Sequence, residues 1–190
     1  ICSGATLSAL PTTSTNGITG TWSPALNNTA TTTYTFTPTA GQCATTTTLT
    51  INVTPNVTPT FVAVAPICSG TTLSALPTTS TNGIAGTWSP SINNTATTTY
   101  TFTPTVGQCA TTTTMTIIVN EVPIVSITHG CNGISYELSA IVESGVATYE
   151  WFNSSLVSLG STPTISITNP DTYEVRVSLN GCTVSDFVTI

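Results

Sequence analysis

The sequence predicts an all-β protein, built as a tandem array of three small β-sandwich modules. Three observations carry this. Residues 1–54 recur almost letter for letter at 67–120, an offset of 66 with eight differing positions. Polar and apolar residues alternate through Thr33-Tyr34-Thr35-Phe36-Thr37, through 46–53 and through Tyr173-Glu174-Val175-Arg176-Val177, the period of a half-buried strand. The pairs Asn16-Gly17, Asn82-Gly83, Asn132-Gly133 and Asn180-Gly181 punctuate these runs and favour tight turns. No segment has a helical period. Threonine is β-branched and suits a pleated, half-exposed surface, so here it replaces charge on the outer face.

The last third looks unrelated to the repeat until its landmarks are measured. Cys2 to Trp22, Cys68 to Trp88 and Cys131 to Trp151 are each 20 positions, and Tyr34 to Cys43, Tyr100 to Cys109 and Tyr173 to Cys182 are each nine. Only Trp to Tyr changes, from 12 and 12 to 22. The third segment therefore reads as the same module with ten extra residues around 156–165, enough for an added strand. Near-identity of neighbouring copies marks an array rather than a unique active site.

The boundaries follow as 1–55, 56–120 and 121–190. Asn-Val-Thr-Pro, written twice over 52–59, and Asn120-Glu121-Val122-Pro123 read as linkers. After each comes an alternating stretch, Thr60–Val64 and Ile124–Ile127, expected as the first strand of its module. The first module has no such stretch, so its first strand is expected to be cut away or supplied from elsewhere, with more repeats upstream.

Trp22, Trp88 and Trp151, with Tyr34, Tyr100 and Tyr173, are expected to form the cores. A Trp on an early strand and a Tyr on a late one resemble an immunoglobulin-like sandwich. The second cysteine, nine residues after the Tyr rather than two, places any bridge at the turn into the last strand. Six cysteines in equally placed pairs predict one disulfide within each module: Cys2–Cys43, Cys68–Cys109 and Cys131–Cys182. The rival reading, zinc, needs clustered Cys or His spacing, which is missing. Closing a loop of about 42 residues would contribute roughly 4 kcal/mol to modules too small to be robust alone. Disulfides imply an oxidising, extracellular location.

Charge excludes several functions. Charged residues are 4% of the chain, which has net charge −6 and Arg176 as its one basic residue. Residues 1–120 contain no Asp, Glu, Lys, Arg or His. An enzyme is not expected, because acid–base catalysis needs a titratable side chain at the reacting proton. Nucleic acid binding needs several cations, and calcium needs convergent carboxylates. No cofactor is expected, no apolar run reaches the roughly 20 residues of a membrane span, and without Lys no Lys–Asn isopeptide link can form.

The phrases ICSGATLSALPTTSTNGITGTWSPALNNTATTTYTFTPTAGQC and ICSGTTLSALPTTSTNGIAGTWSP resemble the tandem Ig-like repeats of very large secreted proteins of Bacteroidota, especially flavobacteria. CNGISYELSA, YEWFNSS and DTYEVRVSLNGC are similar to the PKD-like modules of the same proteins. The resemblance implies cell-surface, adhesin-type, gliding-motility-associated proteins exported by the type IX secretion machinery. The partners it implies are further repeats of a longer chain.

Sharper readings compete with plainer ones. Trp22 and Trp88 could stack on surface polysaccharide, but a Trp held at one distance from a Cys is more often core. Thr33, Thr35 and Thr37 could match ice, but small sheets twist and solvent-facing strand Thr is commoner. His129 reads as a lone surface histidine. The acids of the third module read as a solvated face. Five Asn-x-Ser/Thr triplets match the glycosylation acceptor, as they will in any Asn- and Thr-rich chain. The expected function is a stalk or spacer. A polysaccharide-binding array or an accessory region of a larger secreted protein is the alternative.

Overall fold

The structure is a computed structural model that describes residues 1–143 and 145–190. Among the described residues it contains strands and no helix.

In the first repeat, β1 (Gly20–Ser23), β2 (Thr32–Pro38) and β3 (Thr47–Ile51) form an antiparallel sheet in chain order. The alternation of β2 works as expected: Tyr34 and Phe36 are buried, while the intervening threonines face outward and pair across the sheet, Thr33 with Thr50 and Thr35 with Thr48. The Tyr34 hydroxyl accepts a bond from the Asn27 N–H at 2.9 Å and donates to the Asn27 carbonyl, so a buried phenol is fully satisfied.

The second repeat contributes β4 (Ile67–Cys68) and then β5 (Gly86–Ser89), β6 (Thr98–Pro104) and β7 (Thr113–Ile117) in the same three-stranded order. A short β8 (Val119–Asn120) runs parallel to β4. Each repeat thus builds one three-stranded antiparallel sheet, to which the second adds only the short β4–β8 pair. Between the first cysteine and this sheet lie only isolated bridges, Thr13 to Thr19 in the first repeat and Thr79 to Ala85 in the second. Prolines at 11 and 77 and the Ser/Thr/Asn/Gly runs after them favour turns over ladders. The expected strand Thr60–Val64 is also absent. Pro59 and Pro66 flank it, and the Thr60 N–H donates to the Asn82 side chain instead of a ladder.

Residues 121–190 form two sheets. One is β13 (Thr164–Ile167), β10 (Ser135–Val142) and β9 (Val125–Asn132); the other is β12 (Ser158–Gly160), β11 (Thr148–Phe152), β14 (Thr172–Leu179) and β15 (Cys182–Thr189). Leu138, Ile165 and Ile167 of the first sheet and Trp151, Tyr173, Val175 and Val177 of the second share one core. The strand expected at Ile124–Ile127 is here as part of β9, and the ten extra residues supply β12 and the start of β13. Asn180 and Gly181, both at positive φ, make the two-residue turn between β14 and β15 that such residues favour.

The backbone divides into two compact units. The first comprises Ile1–Val62, Leu76–Pro90 and Thr101–Met115; the second comprises Ala63–Ala75, Ser91–Tyr100 and Thr116–Ile190. Each holds one disulfide.

Candidate functional site: two disulfide junctions

The expected bridges within modules do not form. The disulfides are Cys2–Cys109 and Cys68–Cys182, with Cα–Cα distances of 4.9 and 5.6 Å, and Cys43 and Cys131 are unpaired and exposed. The reason is strand geometry. Cys2 pairs with Thr54, just after β3, whereas Cys43 lies just before β3. The five residues of β3 alone span about 16 Å at ~3.3 Å per residue, and a disulfide needs Cα atoms within about 7 Å. In the C-terminal part, Cys131 lines the same pocket as Ile190, past the far end of β15, while Cys182 opens β15. The two cysteines of a module thus sit at opposite ends of its last strand.

The linker brings cysteines of different repeats together. Thr54 lies in a parallel bridge with Cys2: its N–H donates to the Ile1 carbonyl at 2.8 Å and its carbonyl accepts from Ser3 at 2.9 Å. Three residues on, Val57 lies in a parallel bridge with Ala110: its N–H donates to the Cys109 carbonyl at 2.8 Å and its carbonyl accepts from Thr111 at 3.0 Å. One short run of chain therefore pairs first with the strand of Cys2 and then with that of Cys109. Asn56 adds a side-chain bond to the Ser3 carbonyl at 3.0 Å.

The linker then fills a groove of the second repeat. The Thr58 carbonyl accepts from the Asn82 amide at 2.9 Å, and Thr60 exchanges backbone and hydroxyl bonds with Thr81. Phe61 packs on Trp88 and Phe102, its ring 4.7 Å from each. Sequence reasoning took 52–59 for a spacer. The signal available was Asn-Val-Thr-Pro written twice, the first copy pairing with Cys2 and the second with Ala110.

The second junction is simpler. Cys68 pairs with Asn120 in the β4–β8 ladder, and the Asn120 side chain donates to the Asn180 carbonyl at 2.7 Å, in the turn that leads to Cys182.

Of the aromatic residues expected in cores, Tyr34, Tyr100, Trp151 and Tyr173 are buried. Trp22 and Trp88 are half-buried. Each lies over a phenylalanine, with ring centroids 5.1 Å apart, and donates its indole N–H to a proline carbonyl, Pro11 or Pro77, at 2.9 Å. Both residues thus remain partly accessible. Trp151 donates similarly to Thr162. His129 contacts the Tyr136 hydroxyl at 2.7 Å on the surface. The side chains of Asn27, Asn93 and Asn153, within three of the acceptor triplets, accept bonds that close their own turns.

Arg176 and Glu174 make a two-pronged ion pair at 2.9 and 3.0 Å, with Ser185 donating to the same carboxylate and the guanidinium 4.3 Å above the Phe152 ring. The Arg176 hydrogen bonds, then that of Ser185, hold the Glu174 carboxyl below its usual value. Burial pushes the Tyr173 phenol up. Among the described residues, no cluster of His, Cys, Asp or Glu could hold a metal ion, and no helix is long and apolar enough to cross a membrane. Disulfides are the chemistry of an oxidising compartment. No protein-family model matches the chain, and a search of curated proteins finds no match.

Proposed function

We propose that this chain is a run of structural spacer modules from a long extracellular cell-surface adhesin or fibre. The observation that carries this reading is that both disulfides join one module to the next, the first across a linker that is itself hydrogen-bonded along the second repeat. Such junctions stiffen a series of modules and hold neighbours together under load. The Ig-like and PKD-like resemblance of the repeat phrases supports the same reading, as does the scarcity of charge.

The covalent path under tension is short. Pulled from Ile1 to Ile190, the oxidised chain crosses Cys2–Cys109, returns to Cys68 and leaves through Cys182. That leaves about 50 residues of extensible backbone, or ~170 Å, against roughly 650 Å for the reduced chain. Single-molecule extension of the oxidised chain measures this directly. Release well beyond ~170 Å from the unreduced chain would show that these two bonds do not carry the load and would sink the mechanical reading.

The partial exposure of Trp22 and Trp88 favours a second reading, a polysaccharide-binding array. Titration with a panel of polysaccharides, beside folded Trp22→Ala and Trp88→Ala variants, separates the two. Binding lost in both folded variants would favour the array.

A further inference from the structure

The two repeats are near-identical in sequence but differ in what covers one groove. In the second repeat, the groove beside Cys109 is filled by Val57–Phe61. In the first, the corresponding groove is an open cleft of about 440 Å³, lined by Asn16, Ile18, Phe36, Cys43, Ala44 and Thr45 among others. Each of these is the same residue type as its counterpart 66 positions on, and Cys43 is exposed and unpaired where Cys109 is bonded.

We infer that this cleft is a docking site for a linker of the type Val-Thr-Pro-Thr-Phe, arriving from another repeat whose first cysteine then bonds to Cys43. The occupant is read from the molecule itself. Residues 57–61 already sit on the same surface one repeat later, and four of their contacts have direct counterparts. The incoming valine would donate to the Cys43 carbonyl and accept from the Thr45 N–H, as Val57 does with Cys109 and Thr111. The carbonyl of the first threonine would accept from Asn16, as that of Thr58 does from Asn82. The phenylalanine would cover Trp22 and Phe36, as Phe61 covers Trp88 and Phe102. Cys131 is the complementary half. It is exposed and unpaired, lines a pocket with Ile190, and stands 20 positions before Trp151 as Cys2 stands before Trp22, and so has the position of a first cysteine whose partner belongs to another module.

The bond forms by thiol–disulfide exchange with a small-molecule disulfide such as oxidised glutathione. The incoming cysteine thiolate attacks glutathione disulfide and releases one glutathione thiolate. The Cys43 thiolate then attacks the cysteine sulfur of that mixed disulfide and releases the second. Two protein thiols are oxidised and one glutathione disulfide is reduced to two thiols.

This inference rests on the spacer reading, and its test is separate from the extension experiment. Residues 1–66 are duplicated ahead of Ile1 in the full chain, which is refolded in glutathione buffer. Peptide mapping without reductant is expected to find Cys43 bonded to the added copy's first cysteine, with Cys43 lost from the alkylatable thiols. In a second version of the extended chain carrying Cys43→Ser, hydrogen exchange at the Thr45 amide is expected to slow by about tenfold or more relative to the unextended Cys43→Ser chain. An amide that exchanges unchanged overturns the groove assignment. Protection of the amide with Cys43 still alkylated in the first version overturns the cysteine assignment. Either result leaves the 190-residue chain's own extension limit standing.

Discussion

At the scale of single residues, stability hangs on close approaches the sequence does not advertise. Gly20 and Gly86 face the Phe36 and Phe102 rings and the carbonyls of Thr37 and Thr103, where an added Cβ would overlap both. A backbone carbonyl on the partner strand cannot yield. Gly86→Ala is therefore expected to destabilise the second repeat's sheet by about 2–4 kcal/mol, read as a fall in the urea midpoint. An unchanged midpoint would mean that β5 and β6 are less closely apposed.

Glu174 gives a pH signature. Its carboxyl is held below its usual 4.5 by Arg176 first and Ser185 second, so its contribution is complete above about 4.5 and is lost as pH falls through the lower folded-state value. Arg176 is 42% exposed and Glu174 12%, and solvent screens such pairs, so the effect is modest. Glu174→Gln is expected to lower stability modestly above pH ~4.5 and to leave it little changed at the acid end, so that the acid limb of the profile flattens. Thermal melts across that range would show it, and a parallel downward shift at every pH would contradict it.

At the scale of elements, the linker behaves as part of the second repeat. Phe61 is half-buried and touches two aromatic rings. Phe61→Ala is expected to cost about 1–3 kcal/mol and to raise the accessibility of Trp88 while leaving Trp22 as it was. Fluorescence quenching of single-Trp versions measures this. Equal change at both tryptophans would remove the linker from the groove. The strands themselves follow local rules: β2, β6 and β14 each bury alternate residues because their side-chain period is two. The stretch at 60–64 alternates equally well yet forms no strand, since two prolines flank it and Asn82 and Thr81 take its hydrogen bonds.

At the scale of the whole molecule, the disulfides form a staggered pattern in which the loop closed by Cys2–Cys109 overlaps the one closed by Cys68–Cys182. Separations of 107 and 114 residues are each worth about 4–5 kcal/mol in the chain-entropy account, though overlapping loops do not simply add. Alkylation of the folded, unreduced chain is expected to label Cys43 and Cys131 and no other cysteine. Chymotryptic mapping then yields a linked peptide pair for each disulfide. Recovery of Cys2 linked to Cys43 would overturn the junctions, and with them the short load path.

The sequence by itself determined what local chemistry can determine. Alternation around Tyr34, Tyr100 and Tyr173 set the strands, Asn-Gly pairs set several turns, and the shared spacings exposed the repeat. The near absence of charge limited the chemistry available to residues 1–120. Only the tertiary structure decided which cysteines meet. Equal spacing pairs Cys2 with Cys43 on paper. A rigid strand stands between them in space, and the partner that comes within reach is chosen by a linker whose backbone pairs with two repeats in turn. That choice depends on hydrogen bonds between residues far apart along the chain, such as Thr54 with Ile1 and Val57 with Cys109, and no pattern of residue types specifies their register. The half-burial of Trp22 and Trp88 is likewise a tertiary outcome, since Trp22 packs on Phe36, and Trp88 on Phe102 and the linker's Phe61.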